Sequence, residues 1–395
     1  MAPPPGNPRF PLVDSLRAIA ALSVLTFHVA AVTGALNHGT LGDVLAMLSR
    51  GVIVFFVISG FLLYRPFVAV RAGRHRPGAA RYARRRALRI VPAYWFALTV
   101  LAIFPGLVGP FDHDWWRYYF FLQAYGHDSF GLGMPVAWTL CIEVAFYALL
   151  PLWALAVGRL ELGRGTRGWL RAELAALALI ALVGVAVQLA AARQRVSMEV
   201  SQSLLGQSTW FAIGMALAVL SVAAEEGRAD SRVRRFVSER PGLCWLGAGA
   251  SLVGLALLLH PGGLLGIAQA LERKQSLRTA LASIALTAAL SGLLVLPAVF
   301  GEREGGFPRR VLAAAPLLWL GLVSYGIYLW HLPVAELLGR ARDPQHFSAS
   351  GLDLATKIDH ATTPILFVMT LAATVAAAAF SYYVVELPFL RRKEV

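Results

Sequence analysis

Residues 16–32 read LRAIAALSVLTFHVAAV, and this stretch decides the fold class. Its apolar run extends over 16–36, enough for the about 20 residues that a membrane-spanning helix needs. Inside it stand Arg17 and His28, eleven residues apart. On an α-helix that spacing is about three turns, or about 16 Å, so the two side chains lie on nearly one face. Asp14 adds a charge on roughly the same face. A cation and an imidazole in a membrane-length helix are costly, and they mark a functional site facing the protein interior. Counted from the cytoplasmic end, His28 lies about 18 Å into a hydrocarbon core of about 30 Å, slightly past its middle.

The whole chain has the same character. Apolar residues make up 57% of the 395 positions and charged residues 15%, against about 25% charged in a soluble domain. The fold class is therefore all-α, a polytopic membrane protein. Ten spans are expected near 16–36, 51–70, 88–109, 134–158, 172–192, 204–223, 242–260, 278–300, 311–335 and 362–385. A cleaved signal peptide is disfavoured, because the first run carries Arg17 and His28 and spans continue to the C-terminus. The two cysteines, Cys141 and Cys244, lie in or beside apolar segments and suit neither a disulfide framework nor a metal site.

The net charge of +14 is topology signal rather than a nucleic-acid footprint. Of the 36 basic residues, 24 fall in the N-terminal tail, the C-terminal tail and alternate loops; ten lie in the opposite loops, and Arg17 and Arg65 lie in spans. The loop after span 2 is the richest, with Arg71, Arg74, Arg76, Arg81, Arg84, Arg85, Arg86 and Arg89; Arg164, Arg228, Arg303, Arg309 and Arg310 belong to the same side. By the positive-inside rule both termini are cytoplasmic, in an inner or plasma membrane. The longest connection, 105–133, is outer and holds FDHDWWRYYFFLQAYGHDSF, whose aromatics fit an interfacial or re-entrant segment. No internal repeat or matched pair of broken helices is visible, which disfavours an inverted-repeat transporter.

Several residues could carry chemistry. Arg86 and Arg89 share a side as the third span begins, and arginine forks suit phosphates. In AWTLCIEVAFYALLP (137–151), Glu143 stands between Trp138 and Tyr147 near the expected outer end of its helix. A carboxylate there needs a cavity or a partner. His28, at similar depth, is the best partner in kind, since a carboxylate can orient a histidine. In SYGIYLWHLP (324–333), Ser324, Tyr328 and His331 fall on one face. Ser59-Gly60 reads as a helix-packing step, and Cys141 as a packed core residue.

At these residues the sequence resembles acyltransferase family 3, integral membrane O-acyltransferases similar to O-antigen acetylases. The resemblance rests on VDSLRAIAALSVLTFH, FFVISGFLL, RRRALRIVPAYW, AWTLCIEVAFYALLP, SYGIYLWHLP and VELPF, in order along nearly the whole chain. The family's Arg-x10-His pattern is met by Arg17 and His28, and its Arg-x-x-Arg pattern by Arg86 and Arg89. The resemblance implies transfer of an acyl group from cytoplasmic acyl-coenzyme A to a hydroxyl on the outer side, without a metal. His28 and Glu143 would be catalytic, Arg17, Arg86 and Arg89 would hold the donor, and Trp138, Tyr328 and His331 would meet the acceptor. Thr139 and Cys141 stand where serines are usual. Residues 1–395 would form one membrane domain with a short cytoplasmic tail (1–12) and no C-terminal esterase-like domain, which many members carry.

Composition and resemblance converge on one mechanism. A basic cytoplasmic surface attracts the phosphates of coenzyme A, and a histidine of near-neutral pKa serves as general base for a sugar hydroxyl. Acetyl is the default acyl group. Direct attack and an acyl-histidine intermediate both remain open, as do polysaccharide, glycolipid and glycosylated small-molecule acceptors. The competing reading is a proton-coupled transporter or flippase, for which buried His, Glu and Arg would also suit. That reading gives the cytoplasmic arginine motif no specific task.

Overall fold

Pro11 opens the first helix, five residues before the expected start at 16, because proline is tolerated where the first-turn N–H groups have no partner. In the computed structural model, residues 10–70, 73, 78–160, 166–227, 231–260, 262–263, 274–301, 305–342, 347–348, 351–352 and 363–391 are described. The tail 1–9 and the charges Arg9, Arg71, Arg74, Arg76, Arg164, Arg228, Arg303, Arg392 and Lys393 lie outside them.

Among the described residues, ten helical segments are long and apolar enough to cross a membrane, as expected. Their helices are α1 (Pro11–Val32), α2 (Gly51–Ala69), α3 (Ala79–Ile103), α4 (Trp138–Leu160), α5 (Thr166–Ala192), α6 (Leu204–Glu225), α7 (Pro241–Leu259), α8 (Leu277–Val299), α9 (Ala315–Arg342) and α10 (Thr363–Phe380). A short helix, Gly39–Met47, and a tight turn, Leu48–Arg50, lead into α2. A two-stranded ribbon pairs Phe347–Ser348 with Gly351–Leu352.

Small residues set the interior crossings, since lipid supplies no hydrophobic drive and close backbone approach must replace it. A Cβ on Gly214 of α6 would fall on the Val57 carbonyl of α2, and one on Gly60 would fall on the Phe211 carbonyl of α6. Gly321 gives α9 the same closeness to Asp14 of α1. Hydroxyls tie α5 to α6: Ser208 Oγ donates to the Ile180 carbonyl at 3.0 Å and Thr209 Oγ1 to that of Ala181 at 2.9 Å. Outward-facing Leu179, Leu182, Leu246, Leu257 and Val368 stay exposed, as lipid-facing positions do.

Three features bear on the site, the first and third as departures from the sequence reading and the second as the re-entrant form of the expected segment. First, α3 begins at Ala79 rather than near 88, so Arg81 to Arg89 are helical and not loop. The helical period then sorts them: Arg81, Arg84 and Arg85 are exposed, while Arg86 and Arg89 are half-buried toward the bundle. Second, the 105–133 connection folds back into the bundle, where Tyr118, Phe121, Ala124 and Met134 pack against Tyr94 and Leu98 of α3. α4 therefore starts in the interior. Third, Arg309, read as a topology charge, is fully buried. It donates to the carbonyls of Pro297, Phe300, Val237, Ser238 and Gly305 at 2.6–3.1 Å, knotting the α7, α8 and α9 ends together.

Candidate active site

α1 and α9 run in parallel, with Gly321 against Asp14 at one end and His331 against His28 toward the other. This register joins two histidines 303 positions apart in sequence: His331 Nε2 lies 3.0 Å from His28 Nδ1. The surrounding acceptors fix the ring hydrogens. His331 Nδ1 faces the carbonyls of Tyr328 at 2.8 Å and Ile327 at 3.1 Å, so it carries the proton and donates. His331 Nε2 then holds a lone pair. His28 Nδ1 faces that lone pair and the Val24 carbonyl at 2.9 Å, so it too is the protonated nitrogen. The lone pair of His28 is thereby placed on Nε2, the nitrogen a general base needs.

The expected His28–Glu143 pair does not form. Tyr328 Oη donates to the Val136 carbonyl at 2.7 Å, which sets the start of α4 one turn inward of His331. From there α4 runs toward the arginine end, so Glu143 lies about 10 Å deeper than Val136. Its carboxylate is held instead by Ser59 Oγ of α2 at 2.7 Å and by Tyr147 Oη, one turn along α4, at 2.9 Å.

Glu143 lines a narrow cavity of about 70 Å³ together with Arg17, Ser59, Arg89, Thr139 and Tyr328. Arg17 also contacts Asp14, Nη1 to Oδ1 at 3.3 Å. Glu143 faces the guanidinium groups of Arg17 and Arg89 across the cavity, and Asp14 pairs with Arg17 from outside it, so the lining is strongly polar and its charges are close to balanced. Arg86 sits nearer the end of α3, with its guanidinium 5.9 Å from the Tyr82 ring centre. Its Nε is buried without a hydrogen-bond partner among the described residues. Trp138 opens α4 but does not line the cavity; its neighbour Thr139 does, with Oγ1 2.7 Å from Tyr328 Oη. Cys141 is buried with Sγ on the Ala137 carbonyl at 3.4 Å, a packed role.

Ser59, Thr139, Tyr147 and Tyr325 line the cavity without having been singled out as site residues. Tyr147 was legible: it stands four residues after Glu143, the spacing at which helical side chains meet. Ser59 was not, because only the α2–α4 contact distinguishes it from a packing serine. Among the described residues no cluster of His, Cys, Asp or Glu could hold a metal.

Comparisons with known proteins agree with this architecture. The family model for the acyltransferase domain matches residues 11–383. The peptidoglycan O-acetyltransferase OatA of Listeria monocytogenes is 23% identical over 412 residues, covering 96% of this chain and 55% of that protein. YrhL of Bacillus subtilis is 25% identical over 408 residues, with 96% and 54% coverage. The exopolysaccharide production protein ExoZ of Rhizobium meliloti is 37% identical over 134 residues, with 32% and 38% coverage. The chain spans about half the length of OatA and YrhL. No solved structure matches. A match running from the first turn of α1 past the end of α10, on a ten-span bundle that brings Arg17, Arg89 and His28 inside, makes this chain a member of acyltransferase family 3.

Proposed function

We propose that this protein is a membrane O-acetyltransferase that moves an acetyl group from acyl-coenzyme A at the arginine end to a glycan hydroxyl at the His28 end. The arginine end is cytoplasmic and the His28 end outer in this reading. One observation carries it: His28 Nδ1 is engaged by His331 Nε2 and the Val24 carbonyl, which leaves Nε2 to serve as base, on the same helix as an arginine that lines a narrow polar cavity.

The chain's own residues suit such a donor. Arg86, with its unpartnered Nε, and Arg89 offer guanidinium forks at the arginine end, matched to phosphates. The cavity between Arg17, Glu143 and Tyr328 is narrow, as a threaded acyl-bearing arm requires. His28 Nε2 takes the proton of the acceptor hydroxyl as its oxygen bonds to the thioester carbonyl carbon. As the carbon–sulfur bond breaks, His28 Nε2 returns that proton to the departing sulfur. A positioned base of this kind contributes about 10²–10⁴-fold in rate. His331 is a positioning residue: it holds the tautomer and accepts part of the positive charge while His28 is doubly protonated.

The acceptor class follows the named activities of relatives, OatA on peptidoglycan and ExoZ in exopolysaccharide production. The test is mass spectrometry of envelope polysaccharide, peptidoglycan and extracted glycosides from cells with and without the gene. Loss of one acetyl mass from a glycan species, restored by the wild-type gene and not by His28→Ala, is expected. Identical glycan spectra in all three strains, with His28→Ala made in normal amount, would overturn the proposal.

A further inference from the structure

A second cavity, of about 330 Å³, opens at the His28 end between α5, α6 and α8. It shares no lining residue with the cavity above. Its wall is polar for a place within a membrane bundle: Gln188, Gln202, Ser283 and Thr287 line it, and Trp210 adds an aromatic face. Among the described residues no carboxylate lines it. Arg50 does, held in place by the turn Leu48–Arg50 just before α2.

Arg50 is the unusual member. Gly51 beside it packs on Ala20 and Val24 of α1, so Arg50 lies well inside the bundle rather than at its rim. Its Nε is buried with no hydrogen-bond partner among the described residues. A guanidinium at this depth with no carboxylate beside it among the described residues is costly and has the standing of a functional site. The glutamines around it are held in place. Gln188 Nε2 donates to the Ser201 and Gly206 carbonyls at 3.0 and 2.9 Å, and Gln202 Oε1 accepts from Gln207 Nε2 at 3.0 Å. Fixed amides, hydroxyls, one aromatic face and one unpaired arginine form a set that recognises a polyhydroxylated ring bearing a negative charge.

We propose that this cavity binds an anionic saccharide, a sugar unit carrying one carboxylate or phosphate that pairs with Arg50. The site does not depend on acyl transfer, so its test needs no donor. The full chain in nanodiscs of neutral lipid is titrated with glucuronate, glucose 6-phosphate, glucose and inorganic phosphate, and binding is read by thermal stabilisation and calorimetry. Glucuronate or glucose 6-phosphate should bind and glucose should not. Arg50→Gln should weaken that binding about 10- to 100-fold, the range for a lost charged hydrogen bond, and Arg50→Lys should recover part of it. Thr287→Val, which keeps the cation, should weaken it by a smaller factor and covers the case in which Arg50→Gln fails to fold. His28→Ala should bind the sugar acid as the wild type does. Equal binding of glucose and glucuronate overturns the proposal, as does binding indifferent to Arg50. So does full stabilisation by inorganic phosphate alone, or stabilisation obtained only with phosphatidylglycerol in the nanodisc, which would make the occupant a free anion or a lipid headgroup.

Discussion

At the residue scale, chemistry concentrates in groups that a membrane penalises and that nevertheless have assigned partners. His28 and His331 act through one shared contact, 3.0 Å long, whereas Glu143 bonds Ser59 and Tyr147 elsewhere. His28→Ala should lower glycan acetylation about 10²–10⁴-fold while the protein still inserts and folds, and near-normal acetylation by the purified variant would remove His28 from the mechanism. The same geometry separates two double mutants. Adding His331→Ala to His28→Ala should cost little beyond His28→Ala alone, because the pair works as a unit. Adding Glu143→Gln should multiply the losses, as for sites without a shared partner. Turnover of the three single and two double variants decides between these outcomes. Arg309 gives a stability counterpart. Arg309→Met leaves five carbonyls without their donor. It should destabilise by at least about 3 kcal/mol, read as a clear drop in melting temperature in detergent.

At the scale of elements, ten apolar runs were legible because a span must be long, apolar and helical whatever its neighbours are. What stayed hidden depends on contacts between elements. The depth of Glu143 is set by the 105–133 connection folding inward, and no count along α4 reveals that. The His28–His331 contact depends on α1 and α9 running in register, which Gly321 permits only by packing on Asp14. The arginine run was read correctly as charge and incorrectly as loop. As a helix it divides into faces, and the division is testable. Arg86→Ala with Arg89→Ala should weaken acyl-coenzyme A binding, more so at low salt, where screening is least. Arg81→Ala with Arg85→Ala, on the exposed face, should have the smaller effect. Equal losses in both pairs would reduce all four to surface charge. Gly214→Leu should disrupt α2–α6 packing, because its side chain has no room beside the Val57 carbonyl; a variant of unchanged yield and melting temperature would refute that crossing.

At the scale of the whole molecule, the direction of the bundle decides what each end can meet. The native thiols Cys141 and Cys244 are both buried, so single introduced cysteines can be read against a quiet background. Arg85→Cys should react with a membrane-impermeant maleimide only after the cells are opened. His113→Cys, fully exposed in the aromatic connection, should react in intact cells. The reverse pattern would invert the topology, and with it the assignment of donor and acceptor sides.

The two-histidine contact also bears on the energetics of the cell. Hydrogen-bonded imidazoles can pass a proton along, but this chain of two is a cul-de-sac: His331 Nδ1 is already committed to the Ile327 and Tyr328 carbonyls. A proton lent to the pair has no onward exit and must come back through the nitrogen that admitted it. Each catalytic cycle should therefore be electrically silent. Collapsing the membrane potential with an ionophore should leave the acetylation rate of reconstituted vesicles unchanged, where a pump or an exchanger of the same size would stall.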